Sequence, residues 1–518
     1  MDRTAPADEG ANPRPRPYPS GAFLAARDDC AIRRDHPPGA QVGAPRIIGQ
    51  RDQGHDAVRR RYEACGQGHV FGFWTRLSAA EREALVTQAE GFDLPALLDS
   101  LAATQRALSA APRLEPLAVE RLPAHGGDPA RHEAARTRGR EMLEAGRVAA
   151  LVVAGGQATR LGHPGPKGGF PIGPVSDRSL FEIQAQKIRR LRERFGRPMA
   201  WYVMTSPATD AETRAIFARE ARFGLPEKDV FFFCQGMVPS FDFEGRILMG
   251  EPGRMMENPD GHGGALTALL RSGALDDMER RGADTLFYYQ VDNPLVRIAD
   301  PAFLGFHALA GAEMSCKVVR KRDAFEKAGV LARVDGRVGV VEYTELDEEH
   351  RDAVDASGEL VFWAGNTAIH AFDTAFIRRV ASEADRWLPF HASEKKIPTI
   401  DEAGRPLAPQ TPNGRKLERF VFDALPAARC VSVVETARAE EFSPVKNASG
   451  RDSPQTARRD LVAQAASWLR AAGIEPPPGA SLEIDHSQVD GPEDLRELGI
   501  RNLEDARDIL RVGPGVAS

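Results

Sequence analysis

The sequence predicts an α/β fold in which a mixed, mostly parallel central sheet is flanked by a helical N-terminal region and a small C-terminal domain. Three observations carry this expectation. Between about Arg147 and the 430s, short apolar runs such as VAALVVAGG, MAWYVMTS and DVFFFCQG alternate with helix-patterned segments such as LFEIQAQKIRRLRERF and TRAIFAREARFG. Strands separated by helices imply right-handed crossovers and parallel pairing, with ligands received beyond the carboxyl ends of the strands. A further strand, TLFYYQVDNPLV, is followed by AEMSCKVVRK and GVLARVDGRVGVVEYTEL, which read as antiparallel ribbon added to the sheet. Finally, 518 residues allow two or three domains at about 150 residues each, and so a sizeable core.

In chain order, residues 1–50, with NPRPRPYPSG and DHPPGAQVGAPR, are rich in proline, glycine and charge. Little apolar surface is available there to offset ordering entropy, so a disordered leader is expected. Residues 51–146 form the helical N-terminal region, where FGFWTRLSAAEREALVTQAEGFDLPALLDSLAAT has apolar residues at three- and four-residue steps. Ser78 stands three residues before Glu81, the spacing of a capping box. Residues 147–438 form the α/β domain. Residues 439–518 form a C-terminal lobe, with a helix around TARRDLVAQAASWLRAAG, a break at Pro476–Pro478 and a final helical segment near Leu503–Leu510. No internal repeat is present.

Composition excludes several classes. Lys+Arg number 68 against 74 Asp+Glu, a net charge of −6, so there is no global basic field for nucleic acid or an acidic membrane. No stretch reaches the ~20 apolar residues of a membrane helix, and the N-terminus lacks a signal-peptide core. Five cysteines without metal-type spacing argue against a disulfide framework and for a reducing, cytoplasmic setting. No nucleic acid, membrane or protein partner is expected.

The stretch LVVAGGQATRLGHPGPKGGFPIG, Leu151 to Gly173, joins a buried strand to a loop rich in glycine and proline. Glycine there lets backbone N–H groups approach an anion or a flat base, yet the same loop reads equally as a strand-to-helix turn that needs glycine for shape. It fits neither G-x-G-x-x-G nor G-x-x-x-x-G-K-[ST], because Lys167 is followed by Gly168. Its distinguishing residues are Arg160 and Lys167, two cations on one constrained segment. A forked guanidinium and a point-charge ammonium suit a triphosphate, and two solvated surface charges are the alternative. Gln235, after the strand VFFFC, carries an amide able to donate to and accept from a pyrimidine edge or to cap a turn. Asp292, directly after the strand ending in YYQ, stands where a carboxylate can hold Mg²⁺, which takes oxygen ligands. Asp300 begins a helix at DPAFLGF. Lys395 and Lys396 read as surface charges.

LVVAGGQATRLGHPGPKG resembles the signature of UTP-dependent sugar-1-phosphate uridylyltransferases (UDPGP type 1), and within them the UDP-N-acetylglucosamine pyrophosphorylase branch. Similar segments run in order from GHVFGFWTRLS at Gly68 to EFSPVKNA at Ala448, among them FFFCQGMVPSFDFEGRIL, ENPDGHGGALTAL, WAGNTAIHAF and PNGRKLERFVFD. The resemblance implies a Rossmann-like nucleotidyltransferase domain. It implies UTP contacts at Ala154, Gly155, Gly156, Gln235 and Gly261. Arg160, Lys167 and Lys446 take catalytic roles at the phosphates. His262, Gly329, Glu342, Asn366 and Lys416 bind the sugar phosphate, and Asp292 holds the metal. Two positions depart from the pattern: Ala158 stands where the family usually has glycine, and His262 where the branch commonly has asparagine. The G-H-G at His262 is similar to UDP-glucose and broad UDP-sugar pyrophosphorylases.

The implied reaction is in-line attack of a sugar-1-phosphate oxygen on the α-phosphorus of UTP, releasing pyrophosphate. With N-acetylglucosamine-1-phosphate the product is UDP-N-acetylglucosamine; glucose-1-phosphate or a broad sugar range is the alternative, and a nucleotide-sugar sensor on the same fold is the non-enzymatic one. The nucleophile is already an anion, so positioning and charge cancellation by Mg²⁺ and cationic side chains are required, and no general base.

Overall fold

The computed structural model describes residues 48–105 and 112–514. The expected leader falls almost wholly on residues 1–47, outside the described residues, and a helix begins at Ile48–Ala64.

Ten strands form the central sheet: β1 (Leu114–Glu115), β2 (Val148–Val153), β3 (Trp201–Thr205), β4 (Val230–Cys234), β5 (Thr285–Gln290), β6 (Met314–Arg320), β7 (Val330–Val334), β8 (Arg337–Val341), β9 (Ala364–Asp373) and β10 (Val431–Glu435). The main path runs β1-β7-β9-β5-β2-β3-β4. Its half β5-β2-β3-β4 is parallel throughout, with Gln290 level with Val153 and Cys234 level with Thr205. The other half is built on the long β9, which pairs antiparallel with β5, β6 and β7, while β7 and β8 make the expected ribbon. β6 is joined on its outer side by β10 in parallel. The sheet is therefore mixed, and the four carboxyl ends of the parallel half open on one edge.

Period-two alternation divides each buried strand between two core layers. Ala150, Val152, Trp201, Val203, Phe287 and Tyr289 pack on the helices Leu180–Phe195 and Pro301–Leu309. Ala149, Leu151, Tyr202, Met204, Leu286 and Tyr288 pack on the helices Gly264–Arg271 and Thr374–Ser382. Local signals set the helix starts. Ser78 and Glu81 close a capping box on Ala79–Glu90, and Asp300 caps Pro301–Leu309 by accepting from Ala302 N.

The N-terminal segment is not one helical layer. Leu85, Leu97 and Leu101 form a separate cluster with Phe241, Ile247 and Leu417. The helix Pro129–Glu144 instead enters the main core through Ala135, Met142 and Leu143. Two glycines make that contact: a Cβ on Gly139 would lie 1.8 Å from Pro301 O, and one on Gly305 would lie 1.6 Å from Ala135 O. The backbones touch there, and any side chain would separate the helices.

The C-terminal lobe has its expected helix, Pro454–Ala471, but no helix at Leu503–Leu510. Asn502 Oδ1 accepts from Glu504 N and Asp505 N in the manner of a helix cap, yet the chain beyond it continues only as turns, with Arg507 N donating to Glu504 O and Ile509 N to Ala506 O. Leu510–Gly513 is then drawn into antiparallel pairing with Ser481–Ile484. The lobe docks through acids that meet arginines of the body: Asp494 and Glu497 with Arg194, Asp485 with Arg178, and Glu493 with Arg136.

Candidate functional site

The loops after β2, β4 and β5 meet at the carboxyl edge of the parallel half. After β2, Ala154 is buried and its N–H donates to Met204 O at 2.8 Å. The loop then folds back on itself, with Ala158 N donating to Gly165 O at 3.1 Å and Lys167 N to Gly156 O at 3.0 Å. Ala158 is fully enclosed at this turn, so the family's glycine is not needed for space. Ser206 Oγ holds the strip from behind by donating to Gly155 O at 2.8 Å.

Gln235 lies over this strip. A Cβ on Gly155 would stand 2.9 Å from Gln235 Nε2 and 3.1 Å from its Cδ, so the amide packs flat on the glycine. Gly261 is tied to the same wall, because Asp260 N donates to Gly236 O at 3.0 Å and Arg419 N donates to Asp260 O at 2.8 Å. Burial pushes the Asp260 carboxyl up to about 6. Gly155, Gly156 and Gln235 thus lie together at this edge, Ala154 is buried beneath them, and Gly261 is joined to them through Asp260 and Gly236.

The second group is ionic. Lys167 Nζ donates to Asp292 Oδ2 at 3.1 Å, joining residues from the β2 and β5 loops. Asp292 also receives Val445 N on its main-chain oxygen at 2.9 Å, which brings the segment carrying Lys446 to the same edge. Lys446 itself is exposed. Arg160, on the turn Thr159–Leu161, is exposed as well and touches none of the other predicted residues through a hydrogen bond or ion pair.

The third group lies under the antiparallel half. Asn366 N donates to Gly329 O at 2.8 Å, and a Cβ on Gly329 would stand 3.1 Å from Glu342 Oε1. Burial raises the Glu342 carboxyl, aided by Glu345, against the pull of His391 and Lys446. His262 Nδ1 accepts from Val421 N at 3.1 Å, so its ring proton sits on Nε2. Burial, with the nearby charges of Lys446 and His391, pushes this imidazole down to about 4. The ring stacks on Phe420 at 5.3 Å, and His391 also stacks on Phe420, at 4.3 Å. Burial opposes charge on His391, but its bond to Asp423 Oδ2 at 2.8 Å and that carboxylate's charge outweigh it and raise the pKa. Lys416 lies opposite Ser393 on the strand Gly414–Arg419 and makes no hydrogen bond or ion pair with this group.

Sequence reasoning missed Ser206, Asp260, Asn293 and His391. Asn293 had a signal, a polar residue between Asp292 and Pro294 at a strand's end. His391 had none, since its partners lie 29 and 32 positions away and on another element.

Known proteins resemble this chain in sequence and in fold. Residues 118–462 match the family described as UTP--glucose-1-phosphate uridylyltransferase. UDP-N-acetylhexosamine pyrophosphorylase-like protein 1 of Xenopus tropicalis is 40% identical over 81% of this chain and 85% of its own length. The UDP-N-acetylglucosamine pyrophosphorylase of Saccharomyces cerevisiae is 35% identical over 85% of this chain and 96% of its own. The crystal structure of the uridine diphosphate N-acetylglucosamine pyrophosphorylase from Trypanosoma brucei superposes with a TM-score of 0.75 at 28% identity, over 89% of this chain and 95% of that one. By sequence and by fold, the chain belongs to the UTP--glucose-1-phosphate uridylyltransferase family.

Proposed function

We propose that the chain transfers uridylyl from UTP to N-acetylglucosamine-1-phosphate, forming UDP-N-acetylglucosamine and pyrophosphate. The observation that carries the reading is the contact of Lys167 Nζ with Asp292 Oδ2 at 3.1 Å, beside the strip on which Gln235 packs. A cation suited to phosphate binding and a carboxylate suited to metal binding share one strand edge.

The main-chain strip Ala154–Gly156 with Gln235 and Gly261 accepts the uridine. Lys167, Arg160 and Lys446 face the phosphates, where fixed cations stabilise the charge that builds on the departing pyrophosphate. Gly329, Glu342, Asn366, His262 and Lys416 hold the sugar phosphate. His262 presents Nε2–H as a donor, because Val421 N occupies Nδ1. Among the described residues no group of three or more His, Cys, Asp or Glu could cage a metal. A single carboxylate, Asp292, fits Mg²⁺ that arrives on substrate phosphates, which is how this ion is commonly held. The ion would supply neutralisation of the phosphate charge. Enclosed carboxylates and histidines are not needed as bases, since the attacking phosphate oxygen carries its own charge.

His262, in place of the branch's asparagine, favours a second reading with glucose-1-phosphate as acceptor. Among the described residues no helix is long and apolar enough to cross a membrane; a cytoplasmic setting and freedom from other partners belong to the same proposal. The test is pyrophosphate release from UTP over a panel of sugar-1-phosphates, with and without Mg²⁺. Release with N-acetylglucosamine-1-phosphate above all others supports the reading, and release with none of them removes it.

A further inference from the structure

One buried side chain at the site has no part in that reaction scheme, and its bonds are unusual. Asn293, next to Asp292, is 3% exposed. Its Nδ2 donates to Glu441 O at 2.7 Å and its Oδ1 accepts from Ser443 N at 3.1 Å. The amide thus pairs with an oxygen and an N–H two residues apart, as the peptide of a neighbouring strand would. The bonded segment, Glu441–Lys446, ends in the lysine placed at the phosphates. On its far side Val445 N reaches Asp292 O at 2.9 Å, and Lys446 N reaches Asp452 O at 2.7 Å.

The segment has other anchors, but they lie away from the metal carboxylate. Glu441 meets the buried Lys317 and Thr436, and Ser443 Oγ donates to Asp460 Oδ2 at 2.7 Å. Those contacts fix the segment to β6, to the loop after β10 and to the lobe helix. Asn293 and the main chain of Asp292 fix it to the loop after β5. Rotation of the segment would move Lys446 relative to Asp292, and a misplacement of about 1 Å costs about a hundredfold in rate.

We propose that Asn293 is a positioning residue for uridylyl transfer: its amide sets the register of Glu441–Lys446 against the β5 loop, and so the distance of Lys446 from the phosphates held at Asp292. An amide is required. Aspartate has the same shape but turns an oxygen toward Glu441 O, replacing attraction by repulsion, and a residue without a polar head leaves two main-chain groups buried and unpaired. The proposal rests on the reading of Lys446 given above.

A double-mutant cycle tests it, with kcat measured at saturating UTP and sugar phosphate. Asn293→Ala is expected to lower kcat by about tenfold to a hundredfold with the UTP KM little changed. In the Lys446→Ala background the same change is expected to cost less than about twofold, because there is no longer a lysine to place. In the His262→Asn background it is expected to keep its full effect. An equal loss with and without Lys446 would overturn the positioning role and leave a structural one. A Lys446→Ala enzyme of normal rate would instead show that the reading of Lys446 fails. If Asn293→Ala does not melt cooperatively, Asn293→Asp, which keeps the shape and the acceptor but sets an oxygen in place of the donor, is carried through the same cycle: a loss that vanishes without Lys446 supports the positioning role, and an equal loss overturns it.

Discussion

Replacing Lys167 separates stability from chemistry. Its ammonium and the Asp292 carboxylate are 3.1 Å apart, with side chains 18% and 10% exposed. At an effective dielectric of about 20 the gross attraction at that distance is about 5 kcal/mol. Desolvation offsets most of it, but removing one partner strands the other, which costs about 3–5 kcal/mol for a buried pair. With both groups partly exposed the lower end applies, so Lys167→Ala is expected to lose about 3 kcal/mol of unfolding free energy. Adding Asp292→Asn removes the stranded charge and should restore most of that loss. Turnover should behave differently, falling about a hundredfold or more in Lys167→Ala, as when one preorganised electrostatic group is lost. The double variant should not recover it, because the carboxylate proposed to hold Mg²⁺ has gone as well. Urea unfolding and pyrophosphate release, run on the parent and both variants, read both quantities. Recovery of turnover together with stability in the double variant would refute the argument, since Lys167 would then act only by holding the fold.

Gly155→Ala should displace the Gln235 amide, which lies 2.9 Å from the new Cβ; the UTP KM is expected to rise about tenfold while the melting temperature barely moves, as the obstacle is the end of a flexible side chain. An unchanged KM would remove Gln235 from the base-binding wall. His262→Asn should shift the ratio of rates with N-acetylglucosamine-1-phosphate and glucose-1-phosphate, and an unaltered ratio means that this position does not select the sugar. Acid should weaken the fold. His307, His370 and His486 are buried, and burial pushes the first two down to about 4 and about 3 and the third well below its ordinary value. Unfolded imidazoles take up protons below about pH 6.5 that the folded ones refuse, so the stability present above that pH is lost as pH falls toward 4, on the order of 3 kcal/mol for each of His307 and His370, with a loss of the same sign from His486. The urea midpoint should therefore drop between pH 7 and pH 5, and a flat midpoint would contradict the neutral burial of these rings.

Much of the site was legible because it hangs on local signals. A parallel strand followed by a loop is visible in the apolar runs, and three such loops carry Gly155, Gln235 and Asp292. Caps were equally readable: Ser78 with Glu81, and Asp300 before Pro301, act within three residues of themselves. The final segment at Leu503–Leu510 misled for a related reason. Its apolar spacing suited a helix, but Ile484, distant in the chain, offered Leu510 a strand partner.

Periodicity and capping are properties of neighbours in the chain, so the α/β class, the order of strands and helices in the α/β domain, and the loops after its parallel strands follow from the sequence alone. Which distant groups touch does not. Lys167 meets Asp292 across 125 positions, Asn293 meets Glu441 across 148, and the helix Pro129–Glu144 leaves its sequence neighbours for backbone contacts of Gly139 with Pro301 and of Ala135 with Gly305. Each of these depends on how strands pair and how closely two backbones approach. Those distances are set by the packing of the whole core, and only the tertiary structure contains them.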